Sequence, residues 1–162
     1  MASKRSVLIT GCSDGGIGSA LALAFSKRDF RVYATARRVE NMKSLEGHED
    51  IVLLPLDVLN QTQVKEVVAT VSKATGGTLD VYYNNAGQTR FMPLLDEDIE
   101  AAKKVYDLNV WAPLQLVQAL SPLLIQSKGM IVFNTSVSGY VNVPWQGGIF
   151  ASQSLQIRCL TA

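Results

Sequence analysis

The segment TGCSDGGIG, from Thr10 to Gly18, is the first place where residue types and their spacing suggest chemistry. Glycines between a strand and a helix let the backbone turn tightly and approach a phosphate, which the free amides and dipole of the helix N-terminus stabilise. A glycine-rich turn also occurs for structural reasons alone, so the cluster by itself is weak evidence. Its position after a strand-like run and before a helical one favours a phosphate-binding turn.

A second chemical signal is the pair Arg37 and Arg38, which follows the next strand-like run. An Asp or Glu in this region would bind the ribose 2′-hydroxyl of NAD. A guanidinium suits a 2′-phosphate instead, through bidentate charge-assisted hydrogen bonds. The alternative is a solvated basic loop. Together with the glycine turn, the arginines favour NADP(H) over NAD(H) as the cofactor.

The elements that must position these residues alternate between β-branched runs and helical patterns. The predicted strands are Ser6–Thr10, Arg31–Ala36, Ile51–Asp57, Leu79–Asn84 and Met130–Ser136. Helices are predicted over Ile17–Lys27 and Glu97–Gln126, and the closing residues are typical of the start of another. A further helix is indicated by the i, i+3, i+4, i+7 spacing of Val64, Val67, Val68 and Val71. We therefore predict one α/β domain over residues 1–162, with a doubly wound parallel sheet of the Rossmann type and about five strands.

Composition argues against several classes of function. The net charge of +1 does not suit a broad nucleic-acid surface. Two cysteines and one histidine show no metal-ligand spacing, so we expect no metal site and a reduced, cytoplasmic setting. The most apolar stretch, Leu108–Ile125, is interrupted by prolines and polar residues, which predicts a buried core helix and no transmembrane segment. No signal peptide is expected, because no long apolar region precedes the first strand.

Five motifs in order along the chain resemble those of the short-chain dehydrogenase/reductase superfamily. They are TGCSDGGIG at Thr10–Gly18, LDV at Leu56–Val58, NNAG at Asn84–Gly87, LNV at Leu108–Val110 and NTSVSG at Asn134–Gly139. The resemblance covers the whole chain. The runs VYATARR and YNNAGQT are also similar to the branch that contains fungal NADPH-dependent 1-acyldihydroxyacetone-phosphate reductases. The resemblance implies an NADP(H)-dependent oxidoreductase that reduces a carbonyl or oxidises an alcohol.

The resemblance also implies which residues contact the cofactor. It assigns the pyrophosphate loop to Gly11, Gly16, Ile17 and Gly18. Four residues lie between Gly11 and Gly16, one more than the family's usual spacing, so the detail of this loop is expected to differ. Asp57 would accept a hydrogen bond from the adenine amine, and Val58 would pack beside it. The end of the fourth strand, near the adenosine ribose, would be capped by Asn84, Asn85, Ala86 and Gly87.

Two residues of the family's catalytic set are matched, and two are replaced. Asn109 would be the asparagine that kinks its helix, and Ser136 would donate a hydrogen bond to the substrate carbonyl. In the family a Tyr-x-x-x-Lys helix follows, in which the Tyr protonates the carbonyl oxygen and the Lys lowers the pKa of the Tyr. Here Phe150 stands fourteen residues after Ser136, and Ser154 stands four beyond it. Phe has no proton to donate and Ser carries no charge, whereas general acid–base catalysis typically contributes about 10²–10⁴-fold.

Three functions remain open on the sequence. The first is an NADP(H)-dependent oxidoreductase for a small or lipid-like ketone or alcohol, in lipid or secondary metabolism. The second is a catalytically impaired NADP(H)-binding protein, and the third is a truncated product, since family members continue into further strands. The apolar run Met130–Ser136 would then be a sheet edge, which we expect a second copy or another partner to cover.

Overall fold

Parallel strands and crossover helices alternate along the chain in the computed structural model, which describes residues 4–141, 144–146 and 152. The strands are β1 (Ser6–Thr10), β2 (Arg31–Ala36), β3 (Ile51–Pro55), β4 (Val81–Asn84) and β5 (Met130–Phe133). The helices are α1 (Ile17–Ser26), α2 (Gln61–Thr75), α3 (Ile99–Tyr106) and α4 (Ala112–Ser127). The predicted closing helix lies largely outside the described residues.

The sheet has the strand order β3-β2-β1-β4-β5, with every pairing parallel. This arrangement confirms the predicted doubly wound Rossmann-type sheet of five strands. Chain order reverses between β1 and β4, and in open α/β sheets ligands bind in the crevice at the carboxyl ends of strands beside such a reversal. The ends of β1 and β4 are therefore the place to look for a site.

Both faces of the sheet are buried, which explains the uninterrupted apolar run of β1. Leu8 packs on one face with residues of α2 and α4, while Val7 and Ile9 pack on the other with residues of α1. All three side chains are fully buried. Parallel sheets covered by helices on both faces characteristically have such strands in place of an apolar–polar alternation.

The long helix predicted over Glu97–Gln126 is two α-helices joined by one turn of π-helix. It begins after Asp98, whose carboxylate accepts a hydrogen bond from the amide of Ala101 (3.0 Å). This bond holds the pKa of Asp98 below its usual value. The π-helical turn covers Asp107–Trp111, and α4 continues from it to Ser127. The break matters for the site because it contains Asn109.

The combined stretch Ile99–Ser127 is long and apolar enough to cross a membrane by length and composition alone, with a mean hydropathy of 1.3 over its most apolar window. Its packing indicates a core helix instead. In that window 44% of the residues are buried within the domain, and Leu116, Leu120 and Leu124 pack against the sheet and α2.

Three strand boundaries differ from prediction, because each predicted strand extends beyond the hydrogen-bonded ladder. β3 ends at Pro55 instead of Asp57, because the chain turns at Asp57, whose carboxylate accepts from the amide of Leu59 (3.0 Å). β5 ends at Phe133 instead of Ser136, because the chain then bonds to residues at the end of β4. β4 begins at Val81, two residues later than predicted.

Candidate functional site

The glycine segment forms the turn between β1 and α1, and two of its glycines are required by close contact. Gly11 has a left-handed backbone with φ of 73°. A Cβ at Gly11 would lie 3.0 Å from the Cα of Ala86, and a Cβ at Gly18 would lie 2.3 Å from the carbonyl oxygen of Gly11. Any side chain at Gly18 would therefore push α1 away from the turn. The sequence signal at these two positions reflects packing as well as phosphate chemistry.

The first turn of α1 offers free backbone donors to an anion. Gly16 is the N-cap and has no side chain to satisfy the first amides, and no acidic residue occurs in the first turn. The first amides of an α-helix have no partner within the helix, and its dipole favours negative charge there. Gly15, Gly16 and Ile17 are exposed. This end of the helix therefore fits a pyrophosphate.

The additional residue of this loop is accommodated by a second left-handed glycine, Gly15, with φ of 73° and open space where a Cβ would lie. Just before it, the Asp14 carboxylate bonds to residues after β2. Cys12 faces the core, and burial raises the pKa of its thiol to about 12. The predicted loop is present. Asp14 and Gly15 make its shape differ from that of a turn with the family's usual spacing.

Arg37 and Arg38 lie where the sequence predicts, directly after the carboxyl end of β2. Both side chains are exposed. Arg38 has an extended backbone and begins a short 3-10 helix over Val39–Asn41. Because β2 is adjacent to β1 in the sheet, the arginines and the glycine loop share one edge of the sheet. That placement suits a cofactor whose 2′-phosphate lies beside its pyrophosphate.

Asp57 and Val58 follow β3 at the same edge. Val58 is buried in the core cluster that includes α2, whereas Asp57 is partly exposed. The Asp57 amide donates to Oε1 of Gln63 (2.6 Å), which fixes the turn. One carboxylate oxygen of Asp57 accepts from the amide of Leu59. The geometry positions the carboxylate at the rim of the site, and its contact with adenine stays a prediction.

The Asn-Asn-Ala-Gly run joins the ends of β4 and β1 through a hydrogen-bond network. The Thr10 hydroxyl accepts from the amides of Asn85 and Ala86, both at 3.0 Å. The Asn85 side chain donates to the carbonyl oxygens of Thr10 (2.9 Å) and Gly11 (3.0 Å), and accepts from Asn134 (2.9 Å). Asn84 is buried and accepts from the Tyr82 hydroxyl (3.1 Å). These residues hold the glycine turn against β4.

No role was predicted for Thr10 or Asn134, which the structure places in the site. Both occur within recognised motifs, but their hydrogen-bond partners are far away in the sequence. The signal for Thr10 was its position at the end of β1, immediately before Gly11. No local pattern distinguishes Asn134 from an ordinary polar residue at a strand end.

Asn109 lies in the π-helical turn and holds the chain that leaves β4. Its Oδ1 accepts from the Gln88 amide and its Nδ2 donates to the Gln88 carbonyl, both at 3.0 Å. Nδ2 also lies 3.4 Å from the hydroxyl of Ser152. Gly87 packs against this group, since a Cβ there would be 3.2 Å from Oδ1. The predicted break in the helix therefore occurs at Asn109, where it positions the loop after β4.

Ser136 lies after β5 and accepts from the amide of Ser138 (3.1 Å). Its hydroxyl is also 3.2 Å from that of Ser138, which donates to Oε1 of the buried Gln146 (2.7 Å). Ser138 and Gln146 are a hydroxyl–amide pair that sequence reasoning missed. Phe150 and Ser154, at the usual Tyr and Lys positions, lie outside the described residues.

Two further features bear on the chemistry of this edge. Among the residues that the structure describes, no group of three or more His, Cys, Asp or Glu side chains could hold a metal ion. The glycine cradle, the free amides of α1 and the exposed arginines fit a nicotinamide dinucleotide. Gly11, Gly18 and the Asn85 network build the cradle, and Ser136 and Asn109 follow on the β4 and β5 side.

The chain belongs to the short-chain dehydrogenase family, whose family model, described as short chain dehydrogenase, matches residues 5–153. Members of this family are oxidoreductases that bind a nicotinamide cofactor. This membership confirms the resemblance found in the sequence.

Individual relatives agree with the family assignment. The short-chain dehydrogenase PC-15 of Penicillium crustosum is 44% identical over 158 residues, which cover 98% of this chain and 58% of the relative. The NADPH-dependent 1-acyldihydroxyacetone phosphate reductase of Schizosaccharomyces pombe is 42% identical over 154 residues, covering 95% and 52%. The structure of ElxO with NADP bound superposes with a TM-score of 0.88 at 28% identity, covering 96% of this chain and 65% of that one. The chain thus spans just over half the length of the curated relatives it matches.

Proposed function

We propose that this chain is the NADP(H)-binding part of a short-chain dehydrogenase-type oxidoreductase that interconverts a carbonyl and an alcohol. The observation that carries the proposal lies at the carboxyl ends of the adjacent strands β1 and β2. There the uncapped N-terminus of α1 lies beside two exposed arginines. The free amides suit a pyrophosphate, and the guanidinium groups suit a 2′-phosphate. No Asp or Glu occupies the place of the arginines, where an acid would favour NAD.

Two similar proteins also support NADP(H) as the cofactor. The reductase from Schizosaccharomyces pombe is named for its dependence on NADPH, and ElxO was solved with NADP bound. A variant of ElxO with a tyrosine replaced by phenylalanine was also solved with NADPH bound. We therefore assign NADP(H) to this chain and propose that Phe150 is compatible with binding of the nucleotide.

The proposed substrate is a small or lipid-like ketone or secondary alcohol, and the proposed location of the protein is the cytoplasm. Apolar side chains are exposed after β4, at Phe91 and Leu94, and after β5, at Tyr140 and Trp145. The two loops touch, since the amide of Met92 donates to the carbonyl of Trp145 (2.8 Å). NADP(H), when bound, would supply or accept the hydride, and solvent water would supply or accept the proton. Ser136 would donate a hydrogen bond to the carbonyl oxygen, and Asn109 positions the loop after β4.

A second function is favoured by Phe150 and Ser154. The phenylalanine cannot donate a proton and the serine cannot supply a positive charge, so the acid–base part of the usual mechanism has no carrier at these positions. The chain would then bind NADP(H) without turnover and act as a partner or regulator. This alternative uses the same nucleotide site and differs only in the chemical step.

The first experiment is thermal unfolding of the purified chain alone and with excess NADPH or NADH. A ligand that binds only the native state at about 100 times its Kd adds roughly 2.7 kcal/mol of stability. We expect a clear rise in Tm with NADPH and a small one with NADH. A cooperative transition that responds to neither nucleotide would overturn the proposal.

The chemical step is tested by single-turnover oxidation of NADPH with a panel of ketones. Turnover by the natural chain supports the oxidoreductase. Binding without turnover, followed by activity in the double variant Phe150→Tyr with Ser154→Lys, supports the catalytically impaired alternative. Ser136→Ala, introduced into whichever of these two proteins oxidises NADPH, should abolish turnover, while NADPH still raises Tm.

A further inference from the structure

Asp14 joins the glycine loop to the segment that follows the two arginines. Its amide donates to the carbonyl of Asn41 (2.7 Å). Its carboxylate accepts from the amides of Lys43 (2.9 Å) and Ser44 (3.0 Å), and from the Ser44 hydroxyl (2.5 Å). We call these four hydrogen bonds the Asp14 clasp. They connect residues about thirty positions apart in the sequence.

The clasp binds the carboxylate in its charged form. Hydrogen bonds from the Ser44 side chain, and then from the Ser44 amide, hold the pKa of Asp14 below its usual value. Hydrogen bonds to an ionised acceptor are shorter and stronger than neutral ones. Without the clasp, the Asp14 carboxylate would be a negative charge with none of these hydrogen bonds, in a loop suited to phosphate.

A second hydrogen bond connects the glycine loop to the chain just before the arginines. The amide of Cys12 donates to the carbonyl of Thr35 at the end of β2 (2.8 Å). Beyond the arginines, Met42 and Leu45 are fully buried in the same core cluster as Cys12. The segment after β2 is thus anchored at both ends, by Thr35 before the arginines and by Asn41–Leu45 after them.

Arg37 and Arg38 therefore occupy a short span whose two ends are both bonded to the glycine loop. Any shift of the segment around Ser44 relative to Gly15 would change the distance between the guanidinium groups and the N-terminus of α1. A pyrophosphate and a 2′-phosphate on one nucleotide are joined through the same ribose, so a few rotatable bonds limit the distance between them. Misplacement of either part of the site would weaken binding of the ligand that uses both.

We propose that Asp14 is a positioning residue that sets the spacing between the pyrophosphate loop and the two arginines, and thereby the preference for NADPH over NADH. This inference rests on the proposed function, since it concerns the same nucleotide site. NADH lacks the 2′-phosphate, so its binding does not depend on where the two arginines lie relative to the glycine loop. The clasp therefore contributes to NADPH affinity much more than to NADH affinity.

The test compares Kd values for NADPH and NADH by calorimetry. Asp14→Ala should raise the Kd for NADPH about tenfold, equivalent to ~1.4 kcal/mol, and that for NADH less than about twofold. Ser44→Ala removes one hydrogen bond and keeps the backbone contacts, so it should cause a smaller loss in the same direction. This milder variant also serves if Asp14→Ala does not fold. Asp14→Asn retains one acceptor oxygen and should recover part of the preference.

The matched control is Asp98→Ala. Asp98 is likewise an exposed carboxylate that accepts a backbone amide at the start of a helix, but it lies before α3. Its replacement should leave the ratio of the two Kd values unchanged. In a background of Arg37→Ala with Arg38→Ala, Asp14→Ala should cause no further loss of NADPH affinity, because residues that act through one another are not additive.

Two kinds of failure are distinguishable. If the natural chain prefers NADPH but Asp14→Ala and Ser44→Ala weaken both nucleotides equally, or neither, the positioning role is wrong while the proposed function stands. The same conclusion follows if Asp14→Ala still reduces NADPH affinity in the arginine-free background. If the natural chain binds neither nucleotide, the proposed function and the positioning role both fail.

Discussion

At the scale of single residues, Gly18 is confined by two close contacts at the turn between β1 and α1. It lies in the first turn of α1 against the carbonyl of Gly11 and the side chain of Asn85, which a Cβ would approach to 2.3 Å and 2.8 Å. The first contact is with backbone, so it cannot be relieved by a rotamer change. The packing of α1 on the turn therefore depends on the absence of a side chain.

Gly18→Ala is expected to lower the free energy of unfolding by about 1–3 kcal/mol, the usual range for overpacking. It should also abolish the rise in Tm with NADPH, because the first turn of α1 moves. Chemical denaturation and the thermal shift measure the two effects.

Gly47→Ala is the control, since Gly47 has a left-handed backbone (φ 77°) with open space around it. It should cost about 1–2 kcal/mol through backbone strain alone and keep the nucleotide response. An unchanged NADPH response in Gly18→Ala would contradict this interpretation of the turn.

The buried thiol of Cys12 makes the free energy of unfolding depend on pH in the alkaline range. Burial raises the pKa of its thiol from 9.0 to about 12, so the folded protein keeps a proton that the unfolded chain loses above pH 9. Stability from this group is complete below pH 9 and falls as pH rises from 9 towards 12. Between pH 8 and pH 10 the natural chain should lose about 1.4 kcal/mol that Cys12→Ala does not lose. Parallel urea titrations at the two pH values check this, and equal losses would contradict it.

At the scale of elements, the π-helical turn joins α3 and α4 and presents Asn109 to the loop after β4. The side-chain amide of Asn109 accepts a hydrogen bond from the backbone N–H of Gln88 and donates one to the backbone carbonyl of the same residue. A side chain with only acceptors cannot replace it. The turn and the loop are therefore fixed to each other by one residue type.

Asn109→Asp should destabilise the fold by about 1–3 kcal/mol, because an acceptor oxygen then faces the carbonyl of Gln88. Asn60→Asp is the matched control: Asn60 caps α2 by accepting from the amides of Thr62 and Gln63, and Asp performs that role equally well. Free energies of unfolding by urea would compare the two variants. Equal effects at both positions would show that the bidentate contact with Gln88 is unimportant.

At the scale of the whole molecule, β5 forms one edge of the sheet within the described residues. Met130 and Ile131 are exposed, and the strand carries no charged side chain. An uncharged apolar edge presents unpaired backbone groups that pair readily with another strand. The partner or second copy anticipated from the sequence stays a prediction at this edge.

Met130→Lys should reduce concentration-dependent association of the isolated chain, because a charge on an edge strand opposes pairing with a second strand. Sedimentation velocity over a range of concentrations would measure the change. Leu59→Lys is the control, as Leu59 is an exposed apolar residue away from β5. A natural chain that remains monomeric at all concentrations would contradict the prediction.

Most of the fold could be predicted from the sequence because its signals are local. The bounds of β1 and β2 are those predicted, since each is a short apolar run followed by turn residues or charge. The predicted strand end is wrong where an apolar residue continues past the ladder, as at Leu56 beyond β3. The cofactor-binding candidates were identified in the same way, through glycines and arginines placed after strands.

The sequence by itself determined the alternation of strands and helices, the glycine turn and the identity of Phe150 and Ser154. Only the tertiary structure decided which side chains hold that turn in place. Thr10 and Asn85 are 75 residues apart in sequence, and Asn85 and Asn134 are 49 apart. The Asp14 clasp likewise spans two loops. Periodicity and turn chemistry act over a few residues, whereas such contacts exist only once the parallel sheet brings the carboxyl ends of distant strands to one edge.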